Sequence, residues 1–216
     1  LVENLPDVKT ESNQAVELPP FLVEKWKNEG RYEEEISELN AFFKKTGYPR
    51  APKYYIMKWL SDYILDFGID AYRVDTVKHT TEDVWSDFSK VCDLTFAEYK
   101  TKNASKVLDE NKFFLVGEVY GYGLNGKQIY DYGDKKVNYF ENGFESLINF
   151  DFKGDANKNY EELFSYYSNA LQTDLKGFSV MNYATSHDDG WPFDKKRVRT
   201  FEAATKLLLT PGISQI

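Results

Sequence analysis

Apolar positions recur at three- and four-residue spacing over Ile56, Trp59, Leu60, Tyr63, Ile64 and Phe67, which predicts a helix with one face turned to a core. Gly68 stands where a C-terminal cap is expected. Upstream, a helical pattern runs from Pro20 to about residue 28, is interrupted at Gly30, resumes at Tyr32 and stops near Gly47, with Pro49 and Pro52 marking a break. Residues 1–19 show no periodicity and read as loop. After Gly68 the pattern changes. Residues 69–74 form a bounded run of strand length, and Phe113, Phe114, Leu115 and Val116 form a continuous apolar run suited to burial on both faces of a parallel sheet. Residues 147–152 and 178–183 read as further strands, and Ile213 opens a last one. Helices are predicted over 82–109, 160–171 and 195–209, and residues 119–143 form a Gly- and Tyr-rich loop long enough to be functional.

This alternation predicts an α/β protein with parallel strands. Periodicity does not separate an open doubly wound sheet from a closed barrel. The polar residues do help: Asp75, Glu118 and Asp188 each fall just past the C-terminal end of a predicted strand, which is where a barrel carries its active site. No glycine-rich phosphate loop follows any strand, so a nucleotide-binding sheet loses ground.

Composition narrows the partners. The 216 residues carry a formal charge of −8, which disfavours nucleic acid and suits a neutral substrate. No apolar run approaches membrane-spanning length, so no membrane partner is expected, and no signal peptide is visible. The single Cys92 excludes an intrachain disulfide and fits either a cytoplasmic protein or an exported one that does without disulfides. The 17% aromatic share is high; most of these rings belong in a core, and some could line a sugar groove by stacking on pyranose C–H faces.

Each strand end has a bland and a chemical reading. Arg73 and Asp75, two apart, leave their strand on the same face; the pair is either a surface ion pair or a carboxylate kept ionised as a nucleophile requires. Glu118, after an apolar run, either caps a strand in water or is desolvated enough to work as a general acid. His187-Asp188 alone is weak, although each of the chain's two His residues sits beside one of these carboxylates.

Together the three segments form a pattern. Residues 68–79, with Arg73-Val74-Asp75 and Lys78-His79, resemble the second conserved region of the α-amylase family (glycoside hydrolase family 13). Gly117-Glu118-Val119 is similar to its third region, Ser186-His187-Asp188 to its fourth, and Leu5-Pro6-Asp7-Val8 to a region of the small domain inserted after the third barrel strand. The resemblance implies a fragment of a (β/α)8 TIM barrel covering roughly strands 4 to 8, with residues 1–52 as the end of the inserted domain and its linking helices, and 53–216 as the C-terminal part of the barrel. It implies Asp75 as nucleophile, Glu118 as acid/base and Asp188 as the third, transition-state-stabilising carboxylate. Arg73, Lys78, His79 and His187 would bind or orient substrate, and Asp7 with the His79 carbonyl would hold a structural Ca²⁺. The implied substrates are α-1,4-glucans such as starch, glycogen or maltooligosaccharides, cleaved with retention; an extracellular or periplasmic setting goes with the resemblance. Transglycosylation or α-glucosidase action on the same site, and a non-catalytic binding role, are the alternatives.

The charged helical stretch around Glu33-Glu34-Glu35 departs from a compact family member. The family's first conserved region is absent from the chain and both ends read as cut, so the 216 residues alone are expected to be inactive and prone to aggregate.

Overall fold

The computed structural model describes residues 8–184, 186–188 and 201–215. It divides into two compact units, Leu1–Asp70 with Asp87–Phe113, and Ala71–Ser86 with Phe114–Ile216.

The first unit is helical. Helices α1 (Pro20–Asn28), α2 (Tyr32–Thr46) and α3 (Pro52–Phe67) lie where the periodicity puts them, and α4 (Glu82–Lys102) contributes its later turns. Proline opens α1 and α3 at a position that needs no N–H, and Gly47 and Gly68 close α2 and α3 at φ 72° and 67°. A side chain at Gly68 would also run into the Tyr99 ring. Trp26, Leu39, Phe43, Tyr55, Ile64 and Phe96 fill the core, with Phe43 meeting Tyr55 edge-on at 5.1 Å. Lys58, buried among them, keeps its charge by bonding Glu38 at 2.6 Å and Asp62 at 2.8 Å. The helix predicted to residue 109 stops at Lys102. Asn103 leaves helical geometry while its side chain donates to the Tyr99 carbonyl, a local bond that competes with the next helical turn.

The second unit holds a parallel sheet. Strands β1 (Ala71–Val74), β2 (Phe114–Gly117), β5 (Ser146–Asn149), β6 (Ser179–Tyr183) and β7 (Ile213–Gln215) pair in the order β1-β2-β5-β6-β7. The expected loop 119–143 contains a hairpin of its own, β3 (Tyr130–Asp131) with β4 (Lys136–Val137). Two residues per strand are too few for a periodic signal. Helices α5 (Phe152–Asp155) and α6 (Tyr160–Gln172) link β5 to β6, and α7 (Phe201–Leu209) precedes β7. Of the helix expected over 195–209, residues 195–200 lie outside the described residues.

Register decides which side chains share a face. Arg73 pairs with Val116, Val74 with Gly117, and Ile148 with Met181. Val116, Ile148 and Tyr183 therefore project from one face and pack with Phe114, Phe150 and Met181. The opposite face carries Leu115, Leu147 and Val180, each fully buried, contributing about 1.5–3 kcal/mol apiece. On that face Asn149 donates to Asn182 at 3.0 Å and to the Tyr167 hydroxyl at 2.7 Å, and Tyr167 donates to Asp155 at 2.9 Å. These bonds satisfy the buried amides and fix α6 to the sheet. Among the described residues no helix is long and apolar enough to cross a membrane.

Candidate active site

One row beyond the last paired residues, Val74 and Gly117, the register brings Asp75 and Glu118 side by side at neighbouring strand ends, on the same face as Val116 and Ile148. The Glu118 N–H donates to the Val74 carbonyl at 2.8 Å, which carries the ladder one step further. Gly117 allows this: a side chain there would meet the Phe144 ring at 2.9 Å.

The chain then turns back over Glu118. Thr76 takes a left-handed conformation (φ 48°, ψ 39°), rare and costly for a β-branched residue. Its N–H donates to Glu118 Oε2 at 3.0 Å, and the Val77 N–H donates to the Glu118 carbonyl at 3.1 Å. Trp85 closes the following 3-10 turn (Val77–His79) by donating its indole N–H to the Val77 carbonyl at 3.0 Å. Thr76 was invisible as a site element in sequence, because nothing in a threonine's propensity signals positive φ.

Arg73 bridges both carboxyl groups, at 3.0 Å from Asp75 and 3.4 Å from Glu118. The two acids differ sharply in exposure: the Asp75 side chain is 59% exposed and that of Glu118 is 6%. Burial pushes the Glu118 carboxyl above its ordinary value, and its hydrogen bond to Asp75 adds to the rise. A hydrogen bond from Glu118 holds Asp75 below the usual carboxylate value, and the Arg73 charge adds to the fall. One group is biased to stay ionised while its neighbour is biased to keep a proton.

Asp188 and His187 follow β6. His187 Nε2 lies 3.3 Å from Asp188 Oδ2, and the Asp188 N–H donates to Ser186 Oγ at 3.3 Å. Both line a small cleft of about 70 Å³ with Arg73, Glu118, Ile148, Phe150, Tyr183 and Ser186. The fold thus gathers Arg73, Asp75, Glu118, His187 and Asp188. It draws Lys78 instead to the Tyr130 hydroxyl, at 2.9 Å, and leaves His79 exposed at the end of the 3-10 turn. Asp7 lies outside the described residues. Phe150 and Tyr183 were read in sequence only as strand residues; their period-2 spacing from Ile148 and Met181 was the available signal. Size does not mark the site: a groove of about 830 Å³ within the first unit, lined by Trp26, Phe42, Lys58 and Trp59 among others, holds none of the strand-end carboxylates.

Compared with known proteins, the chain is 32% identical over 219 residues to the periplasmic α-amylase of Escherichia coli (strain K12), a match covering 98% of this chain and 28% of that protein. Over nearly its whole length the chain fits a fragment of an α-amylase-family protein. It spans little more than a quarter of the length of that α-amylase. Two solved structures overlap it partially: an Anoxybacillus α-amylase at 23% identity, covering 63% of this chain and 26% of that one with a TM-score of 0.40, and AmyP in complex with maltose at 11% identity, covering 63% and 28% with a TM-score of 0.38. No protein-family model matches the chain.

The expected calcium ligands are Asp7 and the His79 carbonyl. Among the described residues no group of three or more His, Cys, Asp or Glu could hold a metal ion. Of the expected ligands, only the His79 carbonyl belongs to a described residue, and Ca²⁺ takes six to eight oxygens.

Proposed function

We propose that the whole protein is a retaining α-glucan hydrolase, α-amylase-like, acting on α-1,4 bonds of starch, glycogen or maltooligosaccharides. The observation that carries this reading is the opposed bias of two adjacent carboxyl groups: Asp75 is exposed and held below its ordinary value, and Glu118 is buried and pushed above its own. A pair of carboxyls pushed apart in this way is what glycosidic cleavage requires. An Asp75 oxygen attacks the anomeric carbon while the bond to the departing oxygen breaks and Glu118 delivers its proton to that oxygen. Glu118, now ionised, takes a proton from water; the water oxygen bonds to the anomeric carbon and Asp75 leaves. Asp188 and His187, across the cleft, bind sugar hydroxyls and offset the positive charge that develops on the ring. Every step is carried by the chain's own side chains.

The sheet supports a barrel as the parent architecture. Its five parallel strands pair in chain order with no reversal, whereas a doubly wound sheet reverses at a switch point. On this reading residues 53–216 belong to a (β/α)8 barrel and residues 1–52 to the end of an inserted domain. The name of the Escherichia coli relative favours export from the cytoplasm.

Proton NMR of the first products from a maltooligosaccharide tests the mechanism. The α-anomer should form first and mutarotate later; β-anomer formed first would refute double displacement, and products longer than the substrate would move the assignment to transfer.

The pH profile gives a second test. Turnover needs Asp75 ionised and Glu118 protonated, so activity should fall as pH drops through the lowered Asp75 value and again as it rises through the raised Glu118 value. Arg73→Met removes a charge that depresses both groups, so both limbs should move to higher pH, with kcat/KM down about 10- to 100-fold. Limbs that stay in place would reduce Arg73 to a surface ion pair.

A further inference from the structure

Past Glu118 the chain enters loop 119–143, where a cluster of side chains has no part in the steps above. Tyr120 is its exposed member, 58% open to solvent. Its ring meets Phe150 at 5.1 Å and 63°, and Phe150 lines the cleft with Glu118 and Arg73. The Lys78 ammonium lies over two rings, 5.7 Å from the Tyr120 centroid and 4.8 Å from that of Tyr130. It donates to the Tyr130 hydroxyl at 2.9 Å, and that hydroxyl donates to the Tyr120 carbonyl at 3.1 Å. Tyr130 itself is carried by β3 of the hairpin.

A surface tyrosine at the lip of a cleft ordinarily samples several rotamers, and a ligand that stacks on it must first order it. Here Phe150 and the Lys78 ammonium each touch the Tyr120 ring, and the Tyr130 hydroxyl holds both its main chain and that ammonium. The ring is therefore set before a ligand arrives. Its apolar face, two residues along from the group that would protonate the departing oxygen, matches the C–H face of a pyranose leaving with that oxygen.

We propose that Tyr130 is a positioning and specificity-determining residue: its hydroxyl locks Lys78 and Tyr120 into a platform for the sugar unit that departs as Glu118 gives up its proton. The inference rests on the assignment of Glu118 above. It makes the enzyme selective for leaving groups that are themselves sugars. A leaving group too small to reach the platform, such as fluoride, gains nothing from it.

The test compares a maltooligosaccharide with α-maltosyl fluoride in the whole protein. Tyr130→Phe keeps the ring and loses the hydroxyl. It should lower kcat/KM on the oligosaccharide about 3- to 10-fold and leave the fluoride within about 2-fold. In a Tyr120→Ala background the same substitution should add less than about 2-fold, because its effect runs through Tyr120. Equal losses on both substrates, no loss on the oligosaccharide, or full additivity would overturn the proposal. If Tyr130→Phe does not fold, Lys78→Met breaks the same link and must give the same selective loss, or the proposal falls. A fully active Glu118→Gln enzyme would instead remove the acid on which the proposal rests. An inactive Glu118→Gln enzyme with an unselective Tyr130→Phe counts against Tyr130 alone.

Discussion

Asp75→Asn should lower kcat/KM of the whole protein on a maltooligosaccharide by at least about 10⁴-fold, with its thermal unfolding midpoint little changed. The substitution is close to isosteric, and the Asp75 side chain is 59% exposed, so little packing is lost. What disappears is the charge. A neutral amide cannot displace a glycosidic oxygen, and the Arg73 guanidinium, 3.0 Å from Asp75, loses its ionised partner. Glu118 changes with it: the hydrogen bond and the negative charge of Asp75 both raise the Glu118 value, so their removal lets that value fall. Whatever activity survives should therefore have its alkaline limb at lower pH. Kinetics measured beside a melting curve decide the matter. Activity within about 10-fold of the parent would show that another group attacks the sugar, and a collapsed melting curve would place Asp75 in the fold rather than the chemistry.

The parts of this site that were legible in sequence are those set by short-range periodicity. Arg73 and Asp75 share a face because a strand has period two, and Glu118 is buried because an apolar run leads into it. The caps at Gly47 and Gly68 were legible for a similar reason, since few residues other than glycine tolerate the left-handed turn that ends a helix. The contact between Asp75 and Glu118 was not. It depends on the register between two strands joined through α4, and no local pattern carries a register across such a connection. Nor was the turn that seats Glu118, because Thr76 sits in a conformation its side chain disfavours and is held there by bonds to Glu118 and the turn after it. Local preference and tertiary demand conflict at that residue, as they do at functional sites more often than elsewhere. The β3–β4 hairpin was missed for the opposite reason: its two-residue strands give no pattern, yet they carry Tyr130 to Lys78. The carboxylates could be named from sequence, while the side chains that orient their surroundings needed the fold.

Glu118→Gln separates the two halves of the proposed reaction. The substitution suits the site, because an amide matches the carboxyl in size and is neutral, as the carboxyl is in the form that gives up its proton. The amide NH₂ can still donate toward Asp75, while its oxygen accepts the Thr76 N–H now bonded at 3.0 Å to Glu118 Oε2. Stability should barely move. The amide has no proton to deliver at any accessible pH, so kcat/KM on a maltooligosaccharide should fall about 10²- to 10⁴-fold and the alkaline limb should vanish. α-Maltosyl fluoride needs no proton on its leaving group, so its first step should proceed at close to the parent rate. Its second step should be slow, since no base is left to activate water. The expected signature is a burst of fluoride equal to the enzyme present, followed by slow turnover, with one maltosyl unit attached to Asp75 by mass spectrometry. Equal losses on both substrates with no burst would mean that Glu118 shapes the cleft without moving a proton. A burst with the sugar on any residue but Asp75 would keep the acid and replace the nucleophile. The buried carboxyl and its exposed neighbour can in this way be judged independently, although each sets the protonation of the other.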